Sequence, residues 1–487
     1  MNIGQSIRKG TTWVFTGSLI GRVYEFAFGV ILARLLLPSD FGTLVTVQVF
    51  TGAAGFIAGG GMGQALVQRK DIEEIHFHVV FTLQFIICLL IYLFFFSISP
   101  YFAKWFDNPI YEDLLRVSAL TFLFRPFNNV AGAKLRRAMN FKTTTIIGLF
   151  SGLLSGACSI TLAIYDFGVW SLVLGGLFGL IISIPVLLIF ARFLPRIRYD
   201  FEIAKQVGGY GIRFSINDII SYLREQTPNF LIGKLIDTQA VGLFNKGYSL
   251  SVYPVKLIAG SAYQTVFRAL SSTQDNLDKS KYIYLRTITL VCVYTFPFYI
   301  GLIWLADPFI TTLYGEKWRL AATPLQIFCL ARILSCFGNP SGAVMAAQDL
   351  LGTEIKIQIF TLLMTIAGCW FGIQQKNINF IAWGMLPSFF FLYISVVFFA
   401  CKRLNVTFTE FIRSTSPALF LSFCLIIILT SFELFKTYYP LEQNNLAYIF
   451  SMSTVGGLTY GLLFLFLPIP SLKTEQNRWK KKIRIRP

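Results

Sequence analysis

The chain has 487 residues, 55% of them hydrophobic and only 14% charged, against about a quarter charged in soluble domains. This excludes an ordinary soluble enzyme. It also excludes a nucleic-acid-binding domain despite the net charge of +18, because the basic residues gather at the ends of apolar runs. The eight cysteines contain no CxxC pair and the only histidines are His76 and His78, so neither a disulfide framework nor a metal-ligand set is expected.

In chain order, the first apolar stretch is long enough to span a bilayer and lacks a small-residue cleavage site, so it reads as a helix rather than a signal peptide. Windows of about 20 apolar residues predict fourteen spans, at 12–36, 41–66, 77–99, 113–133, 143–165, 168–191, 208–235, 239–266, 284–306, 320–347, 355–374, 379–401, 415–435 and 446–468. The fourth, seventh, eighth and tenth hold charges, and accepting them makes the topology consistent. With the N-terminus in the cytoplasm, 27 basic residues fall at cytoplasmic ends and 7 on the opposite side, which puts both termini inside. No loop exceeds about 20 residues, leaving no room for a soluble catalytic domain. Gly59-Gly60-Gly61-Met62-Gly63 lacks the GK[ST] of a phosphate-binding loop. Gly148, Gly152 and Gly156 form a GxxxGxxxG face for close helix contact. Pro228, Pro254, Pro297 and Pro324 mark sites where a span can kink.

The seventh span is the most informative. It carries Arg213, Asp218, Arg224 and Glu225, although each ionisable group at the bilayer centre costs roughly 2.5–3.5 kcal/mol on insertion scales. Arg213, Asn217, Ser221 and Arg224 share one helical face, and Asp218, Ser221, Glu225 and Asn229 an adjoining one. In the first span Arg22 and Glu25 are three apart and can meet. More than two residues from any span end, the spans together hold eight basic residues (Arg22, Arg116, Arg125, Arg213, Arg224, Lys246, Lys256 and Arg332) and three acidic ones (Glu25, Asp218 and Glu225). Structural ion pairs between helices are one reading. The other is an electropositive cavity for an anion such as a phosphate or an acidic sugar, since three acids cannot neutralise eight bases. Arg116, near a helix end, reads as a snorkelling residue.

A shift of 200 residues aligns ILARLLLPSDFGTL (31–44) with LIGKLIDTQAVGLF (231–244), placing Arg34 on Lys234 and Gly42 on Gly242. The expected fold is therefore an all-α polytopic membrane protein of two parallel six-helix lobes, 1–200 and 201–405. Two further helices (406–470) and a basic cytoplasmic tail (471–487) follow. Parallel repeats imply a pseudo-twofold axis along the membrane normal and a central cavity.

The segments ARLLLPSDFGTL (33–44), GGMGQALVQRKD (60–71), FGVWSLV (167–173), GKLIDTQAVGLFNKGYSL (233–250), LYGEKWRLAATPLQIF (313–328) and NPSGAVMAAQ (339–348) resemble the Wzx-type polysaccharide flippases. The likeness is to the colanic-acid exporter-like branch of the multidrug/oligosaccharidyl-lipid/polysaccharide exporter superfamily, and it spans about 300 residues in order. The resemblance implies a non-enzymatic flippase of the bacterial inner membrane. Such a protein moves undecaprenyl-pyrophosphate-linked oligosaccharide repeat units by alternating access, for O-antigen, capsule or exopolysaccharide biosynthesis. On that reading Arg22, Arg213, Asn217, Arg224, Lys246, Lys256 and Arg332 bind the substrate, and Glu25, Asp218 and Glu225 couple transport to a proton or sodium gradient. No cofactor is implied. The partners are the lipid bilayer, the lipid-linked glycan, a polysaccharide polymerase and a chain-length regulator, with no nucleic acid. A drug/cation antiporter or a peptidoglycan-precursor flippase of the same superfamily is the alternative, and a membrane enzyme of polysaccharide assembly is a third class.

Overall fold

Helix follows helix along the described residues because the apolar runs can satisfy their backbone groups in a bilayer only internally. The computed structural model of the protein describes residues 3–59, 61–69, 71–273, 276–438 and 445–483. Side chains are described outside 3–12, 14–15, 208–218, 257–265, 268 and 436–438. The helices are α1 (Ile3–Leu35), α2 (Pro38–Gly59), α3 (Met62–Gln68), α4 (Glu74–Trp105), α5 (Ile110–Arg137), α6 (Phe141–Ile164), α7 (Val169–Ala191) and α8 (Phe201–Leu235). They continue with α9 (Thr238–Ser271), α10 (Leu277–Tyr314), α11 (Ala322–Ala347), α12 (Leu351–Ile373), α13 (Ile378–Arg403), α14 (Phe408–Tyr438), α15 (Asn445–Phe466) and α16 (Lys473–Ile483). Thirteen of the fourteen expected spans each fall on one long helix; the second, 41–66, falls on α2 and the short α3, and α16 alone lies outside the expected spans. Among the described residues ten helical stretches are long and apolar enough to cross a membrane on composition alone. The long helices outside that set are α1, α5, α8 and α9, which carry seven of the eight basic residues counted within spans.

The turns are short because many helices end on a left-handed residue. Asp107, Met139, Asp166, Asp349 and Asn405 have φ between 50° and 60°. At α4 the amide of Asn108 donates to the Ala103 carbonyl and that of Asp107 to Lys104, and the same pair of bonds recurs at Asn140/Met139, Phe167/Asp166 and Val406/Asn405. This is the Schellman arrangement, in which Asp and Asn tolerate a conformation usually left to glycine.

Two compact units divide the chain, Met1–Gly242 and Leu243–Pro487. This boundary reflects packing, whereas the expected one at 200/201 reflects sequence periodicity. Within the first unit α4 packs on α5, α6 on α7, and α5 on α7; within the second, α10 packs on α11, α12 on α13, and α11 on α13. The helix pairings thus repeat in order. Small residues set the spacing of the tightest pairs. Gly175 and Gly179 lie against Ser159 and Ser155 on α6, and Gly368 lies against Gly384 across α12 and α13. Of the GxxxGxxxG face on α6, Gly152 receives Tyr24 and Gly156 receives Phe28, both from α1, while Gly148 faces open space.

The 200-residue repeat also shows in local contacts inside the first unit. A methyl built on Gly42 would collide with the Thr238 carbonyl, and one built on Gly242 would collide with the Pro38 carbonyl. Each partner is the other's counterpart under the shift of 200, so the helix crossing is reciprocal. The two helix starts share one capping site with its halves exchanged. At α2 the Asp40 carboxylate accepts from the Leu37 amide (2.9 Å), and at α9 the Asp237 carboxylate accepts from the Ala240 amide (2.6 Å).

All eight cysteines are unbridged and buried or half-buried, as expected of small apolar packing residues. His76 closes a capping box at α4, its Nδ1 accepting from the Glu73 amide (3.1 Å). His78 stacks on Phe193 with ring centroids 5.2 Å apart.

Candidate functional site

In the first unit α2 receives polar side chains from two other helices. Its segment Thr51-Gly52-Ala53-Ala54-Gly55-Phe56 places two glycines three residues apart, and each makes room for a polar group from another helix. At Gly52 the space is filled by Tyr222 of α8. The Tyr222 hydroxyl donates to the Gln48 carbonyl (2.6 Å) and its ring lies 5.3 Å from Phe56. At Gly55 the space is filled by the Arg125 guanidinium of α5. Arg125 is one of the intramembrane cations but is not among the site residues that the sequence points to. Its signal, a glycine pair on a neighbouring helix, is not local in the sequence.

Two residues after Tyr222, Arg224 is 9% exposed. Its guanidinium lies 3.6 Å from the Glu225 carboxylate, a long contact, and Glu225 is itself 45% exposed. The Arg224 Nε is buried without a hydrogen-bond partner among the described residues. Lower on α8, Phe230 joins an aromatic group with Phe50 and Trp105, and Lys234 donates to the Trp105 carbonyl. These contacts hold the charged helix against α2 and α4. On α1, Arg22 is half-buried and Glu25 exposed. Arg116 pairs with Glu112 one turn away (2.8 Å) and lies 4.7 Å over the Phe96 ring, in keeping with its reading as a helix-end residue. The side chains of Arg213, Asn217 and Asp218 lie outside the described residues.

In the second unit aromatic rings do the seating. The Lys246 ammonium of α9 lies 4.7 Å from the rings of both Tyr314 and Trp318. The next residue, Gly247, fits against Ala321 and Leu325 with no room for a β-carbon. Two of the segments singled out in the sequence, 233–250 and 313–328, thus form one contact. The Arg332 guanidinium of α11 lies 5.0 Å from the Tyr248 ring and 5.5 Å from Phe389, and it donates to the Tyr393 hydroxyl (3.3 Å). Tyr248 and Phe244 both meet Phe328 edge-on, so α9, α11 and α13 share one aromatic layer. Cation–π contacts of this kind are worth about 0.5–2 kcal/mol each, more where water is excluded. Lys256 is exposed. The aromatic partners Tyr248, Tyr314, Trp318, Phe389 and Tyr393 were not anticipated, because they come from helices far apart in the chain. Among the described residues no cluster of His, Cys, Asp and Glu is arranged to hold a metal ion.

A family model described as polysaccharide biosynthesis protein matches residues 31–323. The chain is 23% identical over 487 residues to a Klebsiella pneumoniae protein named as an uncharacterized membrane protein in the cps region, with 96% of each chain covered. It is 22% identical over 400 residues to the lipopolysaccharide biosynthesis protein WzxC of Escherichia coli strain K12, covering 79% of each. Among solved structures it is similar to the lipid II flippase MurJ in an inward closed conformation, with a TM-score of 0.72 and 14% identity over 98% of this chain and 99% of that one. At that identity the likeness speaks for the fold alone.

Proposed function

We propose a function from one premise: the chain belongs to the polysaccharide biosynthesis protein family. It is a multi-pass membrane protein of polysaccharide biosynthesis and export. Its cargo is an undecaprenyl-pyrophosphate-linked oligosaccharide, flipped across the bacterial inner membrane from a cytoplasmic to a periplasmic face. It works as a transporter rather than an enzyme, with both termini in the cytoplasm. One relative, WzxC, is a lipopolysaccharide biosynthesis protein, which supports a glycan-bearing cargo.

The observation that carries the reading is the surplus of eight basic over three acidic residues within the spans. A pyrophosphate attached to a glycan supplies the missing negative charge, and guanidinium groups are the side chains best suited to bind it. A carrier of cationic drugs would need the opposite balance. Arg22, Arg213, Asn217, Arg224, Lys246, Lys256 and Arg332 are the substrate-binding residues of this proposal, and Arg125 joins them. In alternating access these helices carry the headgroup while the lipid tail stays in the bilayer. Glu25, Asp218 and Glu225 are the coupling acids: protonating one removes a counter-charge and alters the grip on the anion. Neutral substitution of all three leaving both transport and its ion dependence unchanged would remove the coupling role.

Deletion of the gene tests the whole reading. The expected result is accumulation of undecaprenyl-linked oligosaccharide on the cytoplasmic side, reversed by a plasmid copy. An unchanged pool of lipid-linked intermediates would refute it.

A further inference from the structure

The second unit contains a deep apolar groove that none of the cationic residues above enters. It is bounded by α10, α14, α15 and α16, has a volume of about 590 Å³, and is lined by residues such as Phe298, Leu302, Leu429, Met452, Trp479 and Ile483. Glycines keep it open. Gly301, Gly457 and Gly461 all line the groove, and a β-carbon built on any of them meets nothing within 4 Å. Close helix packing therefore does not require these glycines, although each costs about 1 kcal/mol in a helix relative to alanine.

One end of the groove is closed by α16, which is fixed there by directional contacts. The Trp479 indole donates to the Tyr294 hydroxyl (2.7 Å), which donates to the Glu475 carboxylate (3.2 Å). The Gln476 amide donates to the Phe464 and Leu467 carbonyls (2.8 and 2.7 Å), satisfying the end of α15. Arg286 donates to the Ser471 carbonyl just before the helix. With Trp479 and Ile483 turned into the groove, α16 presents Arg478, Lys480, Lys481 and Lys482 around its outer side. Lys480 lies 5.6 Å over the Phe466 ring and Lys482 lies 5.1 Å over Trp479. The only acid of the helix, Glu475, is engaged by Tyr294 and Arg478.

We infer that the groove and α16 form one binding site for an anionic glycerophospholipid, with an acyl chain in the groove and the phosphate on Arg478 and the lysines. Charge complementarity points to an acidic headgroup, since basic pockets beside membrane helices recruit acidic lipids. Mass action points to a bulk lipid rather than a scarce intermediate. The site is separate from the flippase reading and stands or falls without it.

The test is native mass spectrometry of the full chain in detergent, titrated with phosphatidylglycerol, with phosphatidylcholine of the same acyl chains, and with undecaprenyl phosphate. Three samples are compared: the wild-type chain, the triple variant K480Q/K481Q/K482Q, and the groove-filling variant G457L/G461L. Phosphatidylglycerol adducts are expected on the wild-type chain and not with phosphatidylcholine. Each variant should lose them by about 10-fold or more, given that each lysine near an acidic headgroup contributes about 1 kcal/mol. Lys481 and Lys482 are exposed and Lys480 is half-buried over Phe466, so the thermal unfolding of the triple variant is measured beside the titration to show that the fold is kept. Equal retention by both variants, equal binding of the two glycerophospholipids, or undecaprenyl phosphate that phosphatidylglycerol cannot displace would each overturn the assignment.

Discussion

The two units solve the same problem, a cation within a membrane helix, by different means. In the first, space is made by removing side chains: Gly55 on α2 admits the Arg125 guanidinium, as Gly52 one turn earlier admits the uncharged Tyr222. In the second, rings supply an electrostatic partner: Lys246 lies against Tyr314 and Trp318, and Arg332 between Tyr248 and Phe389. A glycine cleft holds a guanidinium loosely, because the neighbour of the cleft is the far end of a flexible side chain. An aromatic cage fixes a cation and lowers its energy directly. In the first unit the Arg125 guanidinium thus lies in an open cleft beside Gly55, whereas in the second Lys246 and Arg332 are held between rings.

The largest difference should appear on removing Arg332. Arg332→Ala deletes two ring contacts and the bond to Tyr393, and leaves a void in the α9–α11–α13 layer. A loss of about 3 kcal/mol is expected in unfolding of the purified protein, with Arg332→Lys recovering part of it. A loss below about 1 kcal/mol would show that the cage does not hold the unit together. An intermediate effect is expected for Gly52→Ala. The new methyl falls on the rigid Tyr222 ring, so the hydrogen bond to Gln48 must break, at about 1–2 kcal/mol by the same measurement. Gly55→Ala should have the smallest effect. Its methyl would meet an Arg125 nitrogen at 2.7 Å, which can swing aside, and the gain in helix propensity of about 1 kcal/mol offsets the displacement. If Gly55→Ala proved as costly as Gly52→Ala, Arg125 would be fixed and the contrast between the units would fail.

The helices were legible in the sequence because hydropathy and the distribution of basic residues act over whole spans. Even α5, α8 and α9, which are not among the spans that composition picks out in the described residues, follow from what the topology needs. Gly42 and Gly242 occupy the same place in two similar segments of the sequence and meet at one reciprocal crossing. The seating of the charges was not legible. Lys246 and Trp318, or Arg332 and Phe389, lie on different helices, and no local periodicity relates them. Arg125 stood in the list of intramembrane cations, but the glycine that receives it lies on α2. Ring partners and glycine clefts are properties of packing, and packing is decided by which helices meet.

The central claim is that these cations carry a lipid-linked glycan anion. The most direct test places K246Q/R332Q as the sole copy in the deletion strain, at wild-type abundance in the membrane, and measures lipid-linked oligosaccharide on the cytoplasmic face. The account predicts accumulation close to that of the deletion. A pool no larger than in wild type would contradict it.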